Sequence, residues 1–220
     1  RQQPYGEWLD AHLVYLRDLP IPNRRVERSS QERRDRLYKA FGYTYEEVKD
    51  AILPMARDGA EPTSAMGVDT PLAVLSEKHQ PLFSYFKQLF AQVTNPPMDA
   101  IREEIVTDTT VYVGSGGNLL EERAENCTVL QIHNPILTSV DLKIRYMDRP
   151  GFHVETISLL YYKGSPLANA LDRLFVNVDR AYKNGTNILI LSDRGVDENH
   201  VAIPSLLAVS ALEQYLVRTK

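Results

Sequence analysis

A run of four aliphatic residues at positions 188–191 constrains the fold of this chain more than any other feature. Such a run is typical of a strand that is buried on both faces of a parallel sheet. Helical periodicity precedes it over residues 166–182 and follows it over residues 203–216, and another strand is predicted at residues 153–161. Strand and helix therefore alternate, and this order predicts an α/β fold for the C-terminal part.

The N-terminal part is predicted to be mainly helical. Residues 4–19 carry an amphipathic pattern that indicates one helix. Thr44 and Glu47 have the spacing of a capping box, so a second helix is expected to begin there. We expect Pro54 to end or kink this helix and Gly59 to close the segment.

These patterns divide the chain into two parts. We place a helical linker part at residues 1–106 and an α/β part at residues 107–220. The first residue is Arg1 rather than methionine, and the last predicted helix reaches almost to the final residue. We therefore expect a piece of a longer protein, truncated within its α/β part.

Composition narrows the functional classes. The chain has 220 residues, of which 43% are hydrophobic, so it can bury a substantial core. Its net charge is −4, from 25 basic and 29 acidic residues, which argues against general binding to nucleic acids or anionic membranes. Neither a membrane-spanning run nor a signal-peptide pattern is expected, which favours a location in the cytoplasm or the plastid stroma.

Cysteine and histidine usage limits the metal chemistry. Cys127 is the only cysteine, so an internal disulfide and a multi-cysteine cluster are both excluded, and we expect a buried thiol. The five histidines lack metal-ligand spacing, so we expect no metal site and no bound cofactor in this chain.

Residues 24–36 are rich in arginine. Six arginines alternate with Glu27, Glu32 and Asp35 in this segment. The acidic residues favour a solvated linker or a salt-bridged face over the alternative, a nucleic-acid patch.

Two polar segments stand out as candidate functional loops. Residues 61–71 are small, hydroxylated or turn-forming, and a loop of that length is usually functional or linking. Residues 82–93 have helical periodicity, which Pro96 and Pro97 interrupt. The uncharged polar groups at this helix end suit a lined passage or a domain contact, and plain packing is the alternative.

Two further segments suggest ligand binding. Residues 114–117 form a glycine-rich run after a strand predicted at residues 108–113, but their spacing matches no phosphate-binding pattern, which favours a flexible turn. Ser192, Asp193 and Arg194 follow the aliphatic strand, where ligands of α/β folds gather. The charged pair could bind a substrate or form an ion pair that braces the loop.

Four blocks of this sequence resemble the central domain of glutamate synthase, and together they span most of the chain. The longest is the helix-to-proline segment. In chain order the blocks are Met66-Gly67 with residues 69–76, residues 85–97 with Asp99, Ile101, Arg102 and Glu103, Gly114 with residues 118–120, and residues 188–194 with residues 203–209.

The resemblance implies a role inside a larger oxidoreductase. Enzymes of this family transfer the amide nitrogen of glutamine to 2-oxoglutarate and reduce the imine with electrons delivered through FMN and a 3Fe-4S cluster. An amidotransferase domain precedes the central domain and an FMN-binding domain follows it. The central domain links the two and includes a portion like an incomplete β/α barrel. The implied electron donor is ferredoxin or a pyridine-nucleotide-dependent subunit.

The resemblance also implies that the central domain forms part of the wall of an ammonia tunnel. We assign this role to two segments and no catalytic role to any residue. Ammonia has to stay neutral and away from bulk water, so uncharged dipoles are the suitable wall groups. The candidates for the tunnel or the domain interface are Thr63, Ser64, Met66, Gly67, Asp69, Thr70, Gln92, Thr94, Asn95 and Pro96. The alternative is an autonomous α/β module that binds a small anionic ligand.

Overall fold

The computed structural model describes residues 3–21, 29–60, 62, 73–77, 80, 82–86, 99–118 and 120–220. The packing of the chain groups it into two units, which are described separately. One unit combines Arg1–Val26 with Ile101–Lys220, and the other is Glu27–Ala100. The boundary at residues 106 and 107 stays a prediction.

The described helices and strands follow in chain order. The helices are α1 (Tyr5–His12), α2 (Gln31–Ala40), α3 (Leu53–Asp58), α4 (Ala100–Val106), α5 (Leu167–Lys183) and α6 (Ser205–Thr219). The strands are β1 (Val14–Tyr15), β2 (Val111–Val113), β3 (Leu130–Ile132), β4 (Val154–Ser158), β5 (Leu160–Tyr162), β6 (Ile188–Ser192) and β7 (His200–Ala202). Helix and strand alternate as expected in the C-terminal part, so the α/β class is confirmed.

The parallel pair β4 and β6 is the centre of the C-terminal part. The pair runs in register from Val154 opposite Ile188 to Ser158 opposite Ser192. Helix α5 makes the crossover between the two strands, which is the connection that parallel strands require. Helices α5 and α6 bury one apolar cluster together with β4, which includes Ile157, Leu174 and Leu212.

The predicted strand at residues 153–161 is two strands. Leu159 separates them: its N–H donates to the Ser192 carbonyl at 2.8 Å and its own carbonyl accepts from Ile203 at 3.0 Å. Strand β4 pairs with β6 in parallel, whereas β5 pairs with β7 in the antiparallel sense. The chain therefore changes partners at one buried leucine.

A second sheet has the order β1-β3-β2, and it corrects the expectation of one helix over residues 4–19. Helix α1 ends at His12, and Leu13 is already extended. The Val14 N–H donates to the Val129 carbonyl at 3.0 Å, and β1 then runs parallel to β3. Pairing with a strand more than 100 residues away overrides the local helical pattern.

Local hydrogen bonds cap the described helices of the unit Glu27–Ala100. Ser30 caps α2 by accepting from the Arg33 N–H at 3.2 Å. Thr44 and Glu47 form the predicted capping box, at 2.8 Å and 3.1 Å. No residue of α2, of the π-helical turn Glu47–Ile52 or of α3 is buried.

Pro54 does not end the second helix of this unit. The helix continues through Pro54 to Asp58, with a π-helical turn over Glu47–Ile52 just before it. In this widened turn the Leu53 N–H donates to the Val48 carbonyl, five residues earlier. The helix is therefore already widened where Pro54, which has no N–H to donate, follows. Gly59 then closes the helix as predicted, in the left-handed conformation at φ 65°.

Candidate functional site

The ten tunnel candidates, at positions between 63 and 96, lie outside the described residues, and their role stays a prediction. The residues beside them are described. Val74 and Leu75 follow the first candidate segment and are 82% and 96% exposed. Tyr85 and Phe86, at the end of the 3-10 helix Leu82–Phe86, precede the second segment and are also exposed. Each candidate segment is therefore flanked by a pair of exposed apolar side chains.

The loop after β6 is braced by hydroxyl groups. The Ser192 Oγ accepts from the Arg194 N–H at 3.3 Å, and Ser158, its partner in β4, makes the same bond to Leu160 at 3.2 Å. The Arg194 guanidinium donates to the Ser139 Oγ at 3.1 Å. Within the described part of the chain Asp193 and Arg194 form no ion pair, so a hydroxyl braces this loop and the expected ion pair does not form.

One glycine of the glycine-rich turn is closely packed against a side chain, whereas Gly116 has open space around it. A Cβ on Gly117, whose φ is 64°, would lie 2.2 Å from the Asn126 Oδ1. The Asn126 amide in turn donates to the carbonyls of Asn118 and Glu121 at 3.0 Å and 2.7 Å. A glycine is needed where this side chain approaches the backbone. The residues that follow the turn include Glu121, Glu122 and Glu125, whose negative charge disfavours a bound anion.

A cleft of about 200 Å³ lies where β1 and β3 end, and sequence reasoning missed it. Ligands of α/β folds bind at the carboxyl ends of parallel strands. The sequence did not indicate this cleft because the two residues of β1 fall within the helix predicted for residues 4–19. The cleft is lined by Tyr15, Leu16, Arg17, Gln131, Ile132, His133, Asn134, Ile136, Leu137 and Asp141.

Most polar groups of this cleft already have partners. The Asn134 Oδ1 accepts from the Ile136 N–H at 2.9 Å, and Arg17 lies 4.7 Å above the Tyr15 ring. The Asp141 carboxylate accepts two hydrogen bonds from Thr138, which lower the pKa of Asp141. The cleft lining therefore presents structural hydrogen bonds rather than a nucleophile beside a base.

A charge cluster joins the C-terminal parts of α5 and α6. The Asp179 carboxylate accepts from the Tyr215 hydroxyl at 2.6 Å and lies 2.8 Å from the Lys220 Nζ. Hydrogen bonding to Lys220, and then to Tyr215, lowers the pKa of Asp179, and the same contact raises the pKa of Lys220. This partly buried cluster is an interhelical clamp with a structural role.

The described residues show neither a metal centre nor a membrane-spanning helix. They contain no group of three or more histidine, cysteine, aspartate or glutamate side chains placed to hold a metal ion. No helix among them is both long enough and apolar enough to cross a membrane. Cys127 is a free thiol and is only partly buried, in contrast to the expected buried thiol.

The known proteins that are similar to this chain and are described below are all named glutamate synthase. The Bacillus subtilis glutamate synthase [NADPH] large chain is 40% identical over 218 residues, and the spinach ferredoxin-dependent glutamate synthase, chloroplastic, is 38% identical over 221 residues. The Schizosaccharomyces pombe glutamate synthase [NADH] is 35% identical over 232 residues. These alignments cover 98–99% of this chain but only 11–14% of the relatives, so the chain spans a small part of their length.

A family model matches most of the sequence. The model described as the glutamate synthase central domain matches residues 36–220. This match covers the C-terminal sheet and helices, as well as both candidate tunnel segments. The chain therefore belongs to the glutamate synthase central domain family.

Proposed function

We propose that this chain is the linking segment of a glutamate synthase, between its glutamine amidotransferase domain and its FMN-binding synthase domain. The observation that carries the proposal is the match of residues 36–220 to the central domain, in a chain that spans 11–14% of its relatives. The parent enzyme makes glutamate from glutamine and 2-oxoglutarate. This segment positions the two active domains and forms part of the wall of the ammonia tunnel between them.

The proposal assigns the chemistry to other parts of the parent enzyme. FMN and the 3Fe-4S cluster supply the electrons there. The residues of this chain do not fit the cluster, because an iron–sulfur cluster needs several thiolates and Cys127 is the only cysteine. The satisfied polar groups of the cleft beside β1 and β3 likewise favour a structural role for this chain.

Exposed apolar side chains support burial of the tunnel segments inside the parent enzyme. Val74 and Leu75 flank one candidate segment, and Tyr85 and Phe86 flank the other. Apolar residues exposed in this way gain free energy when a neighbouring domain covers them. A covered surface of this kind excludes water. Neutral ammonia needs such a water-free environment between two active sites.

The electron donor is recognised elsewhere in the parent enzyme. Relatives named for NADPH, ferredoxin and NADH are 40%, 38% and 35% identical to this chain. Since these identities are similar, we infer that this segment does not select the donor. Its direct partners are the amidotransferase and FMN-binding domains of the same polypeptide.

Blocking the proposed tunnel tests the function. Thr94→Trp in the full-length parent enzyme is expected to obstruct the passage while leaving both active sites unaltered. The measurement supplies [amide-15N]glutamine together with unlabelled ammonium and follows 15N in the new glutamate. We expect high 15N retention for the unsubstituted enzyme and a large loss of retention for the Thr94→Trp variant, with glutamine hydrolysis continuing.

Two matched variants separate size from polarity. Thr94→Ser keeps the hydroxyl in a smaller side chain, so 15N retention is expected to stay high. Thr94→Val keeps the shape but removes the hydroxyl, and it reports whether the dipole itself is needed. If Thr94→Trp retains as much 15N as Thr94→Ser, then Thr94 does not line the passage.

A further inference from the structure

The outer faces of α5 and α6 differ in character, although the two helices pack side by side. The exposed residues of α5 include four charged ones, together with Val176 and, near its end, Tyr182. Helix α6 instead exposes three aliphatic side chains, interrupted by Glu213. These are Leu206, Val209 and Val217, at 46%, 57% and 74% exposure.

The contacts that α6 already makes do not use these aliphatic residues. Ala208 and Leu212 enter the core, and the Tyr215 ring stacks on Phe175 of α5 with centroids 4.4 Å apart. At about 100° per residue, Leu206 lies about 180° and Val209 about 120° from Tyr215 around the helix axis. Leu206 and Val209 therefore form a second apolar face, directed away from the contact with α5.

The β4–β6 sheet beneath α6 has only two strands in the described part of the chain. Among the described strands β6 pairs only with β4, so one of its edges is open. Leu206 and Val209 are three residues apart, which is the ridge spacing with which one helix packs on another. An aliphatic helix beside α6 would extend the α5–α6 layer and cover both residues.

We propose that an aliphatic helix from the flanking part of the parent polypeptide covers the Leu206–Val209 face of α6. The proposal rests on the proposed function, which places this chain inside a longer enzyme. The relatives support that occupant, since 86% or more of their length lies outside the region matched by this chain. The face is thus an intramolecular interface between the linking segment and its neighbour.

Cysteine accessibility in the full-length parent enzyme tests the proposal. Val209→Cys and Val176→Cys form a matched pair, because both valines are helical and they are 57% and 59% exposed here. Maleimide labelling is followed at each site by peptide mass spectrometry. We expect Cys at position 209 to react about tenfold or more slowly than Cys at position 176, because a covered thiol reacts only after the interface opens.

Several outcomes would overturn the proposal or reassign the partner. Equal labelling rates at the two sites in the native enzyme would refute the covered face. Protection that disappears on dilution to the monomer would assign the cover to a second copy and refute the intramolecular helix. In denaturant the two sites should react equally, which controls for intrinsic reactivity.

Hydroxyl-radical footprinting of the unsubstituted enzyme gives the same comparison without a variant. Low oxidation of Leu206 and Val209 relative to Val176 is the expected result, and equal oxidation would refute the interface. The isotope experiment on Thr94 is independent of this surface. A covered face in an enzyme whose Thr94→Trp variant still channels ammonia would therefore refute only the tunnel assignment.

Discussion

The two units of this chain are stabilised in different ways. In the unit that contains the C-terminal residues, α5 and α6 bury an apolar cluster against the β4–β6 pair. In the unit Glu27–Ala100, the described helices bury no residue and depend on caps and turns. One unit therefore contains a buried apolar core, whereas the described helices of the other contribute no buried residue.

This difference fits a linking segment. Helices with no buried residue are marginal in water by themselves, because most helical stability in proteins comes from packing. The exposed Val74, Leu75, Tyr85 and Phe86 belong to the same unit and offer such packing to a neighbouring domain. Such exposed apolar side chains are what the proposed linking role predicts for a unit that contacts a neighbouring domain.

The largest effect on the free energy of unfolding is expected from shortening a side chain in the packed core. Leu174 is 2% exposed within the α5–α6 cluster, so Leu174→Ala should lower the free energy of unfolding by about 2–5 kcal/mol. Val176→Ala, two residues away on the exposed side of α5, should change it by less than about 0.5 kcal/mol. Urea denaturation followed by circular dichroism measures both. Similar small losses for the two variants would contradict a cooperative core.

The next effect depends on pH and concerns the clamp between α5 and α6. Lys220, and then Tyr215, hold the pKa of Asp179 below its ordinary value of 3.8. The clamp is therefore fully stabilising above that value and is lost as the pH falls through the lower folded-state pKa. Asp179→Asn should be less stable than the unsubstituted chain near neutral pH, and the two should converge below about pH 4.

Urea midpoints from about pH 2 to pH 7 test the clamp. Tyr215→Phe is the matched control, since it retains the ring that stacks on Phe175 and removes only the hydroxyl. It should lose less stability than Asp179→Asn, because the Lys220 contact remains. A constant gap between Asp179→Asn and the unsubstituted chain across the whole pH range would exclude an ionised clamp.

A smaller effect is expected at the closing glycine of the second unit. Gly59 has a φ of 65° with no atom near an added Cβ, so Gly59→Ala should cost about 1–2 kcal/mol through backbone strain alone. Gly6 lies in α1 without a positive φ and is equally uncrowded, so Gly6→Ala should cause no loss. Hydrogen exchange of the amides of α3 for Gly59→Ala and of α1 for Gly6→Ala compares the variants. Equal effects would contradict the left-handed cap.

The smallest effect is expected at the capping box. Thr44→Ala removes the hydroxyl that accepts from the Glu47 N–H and should cost about 1 kcal/mol. Thr44→Ser keeps the cap and should be close to neutral. Hydrogen exchange should rise across Glu47–Asp58 in Thr44→Ala and stay unchanged in β4 and β6. A rise in β4 and β6 as well would show that the two units do not differ as described.

Sequence patterns predicted the regular elements well where the signal is local. Helices α5 and α6 and strand β6 lie within a few residues of the predicted ranges, because their periodicity is strong. The capping box at Thr44 and the closing Gly59 were also predicted, since each depends on residues close in sequence. The fold class follows from these elements and their order.

Predictions were wrong where a distant partner decides the conformation. Val14 and Tyr15 belong to a strand because β3 is available to pair with them, which local sequence cannot reveal. The cleft beside β1 was missed for the same reason. The hydroxyl that engages Arg194 comes from Ser139, 55 residues away, which the local sequence likewise cannot reveal. The tunnel segments were assigned through the family resemblance and stay predictions.

The most direct test of the central claim is the extent of the native polypeptide. Intact mass and peptide sequencing of the protein that carries this chain should give one polypeptide several times longer than 220 residues. We expect a cysteine-led amidotransferase domain before this segment and an FMN-binding barrel after it. A native polypeptide that lacks either domain would contradict the assignment of this chain as the link between the two active sites.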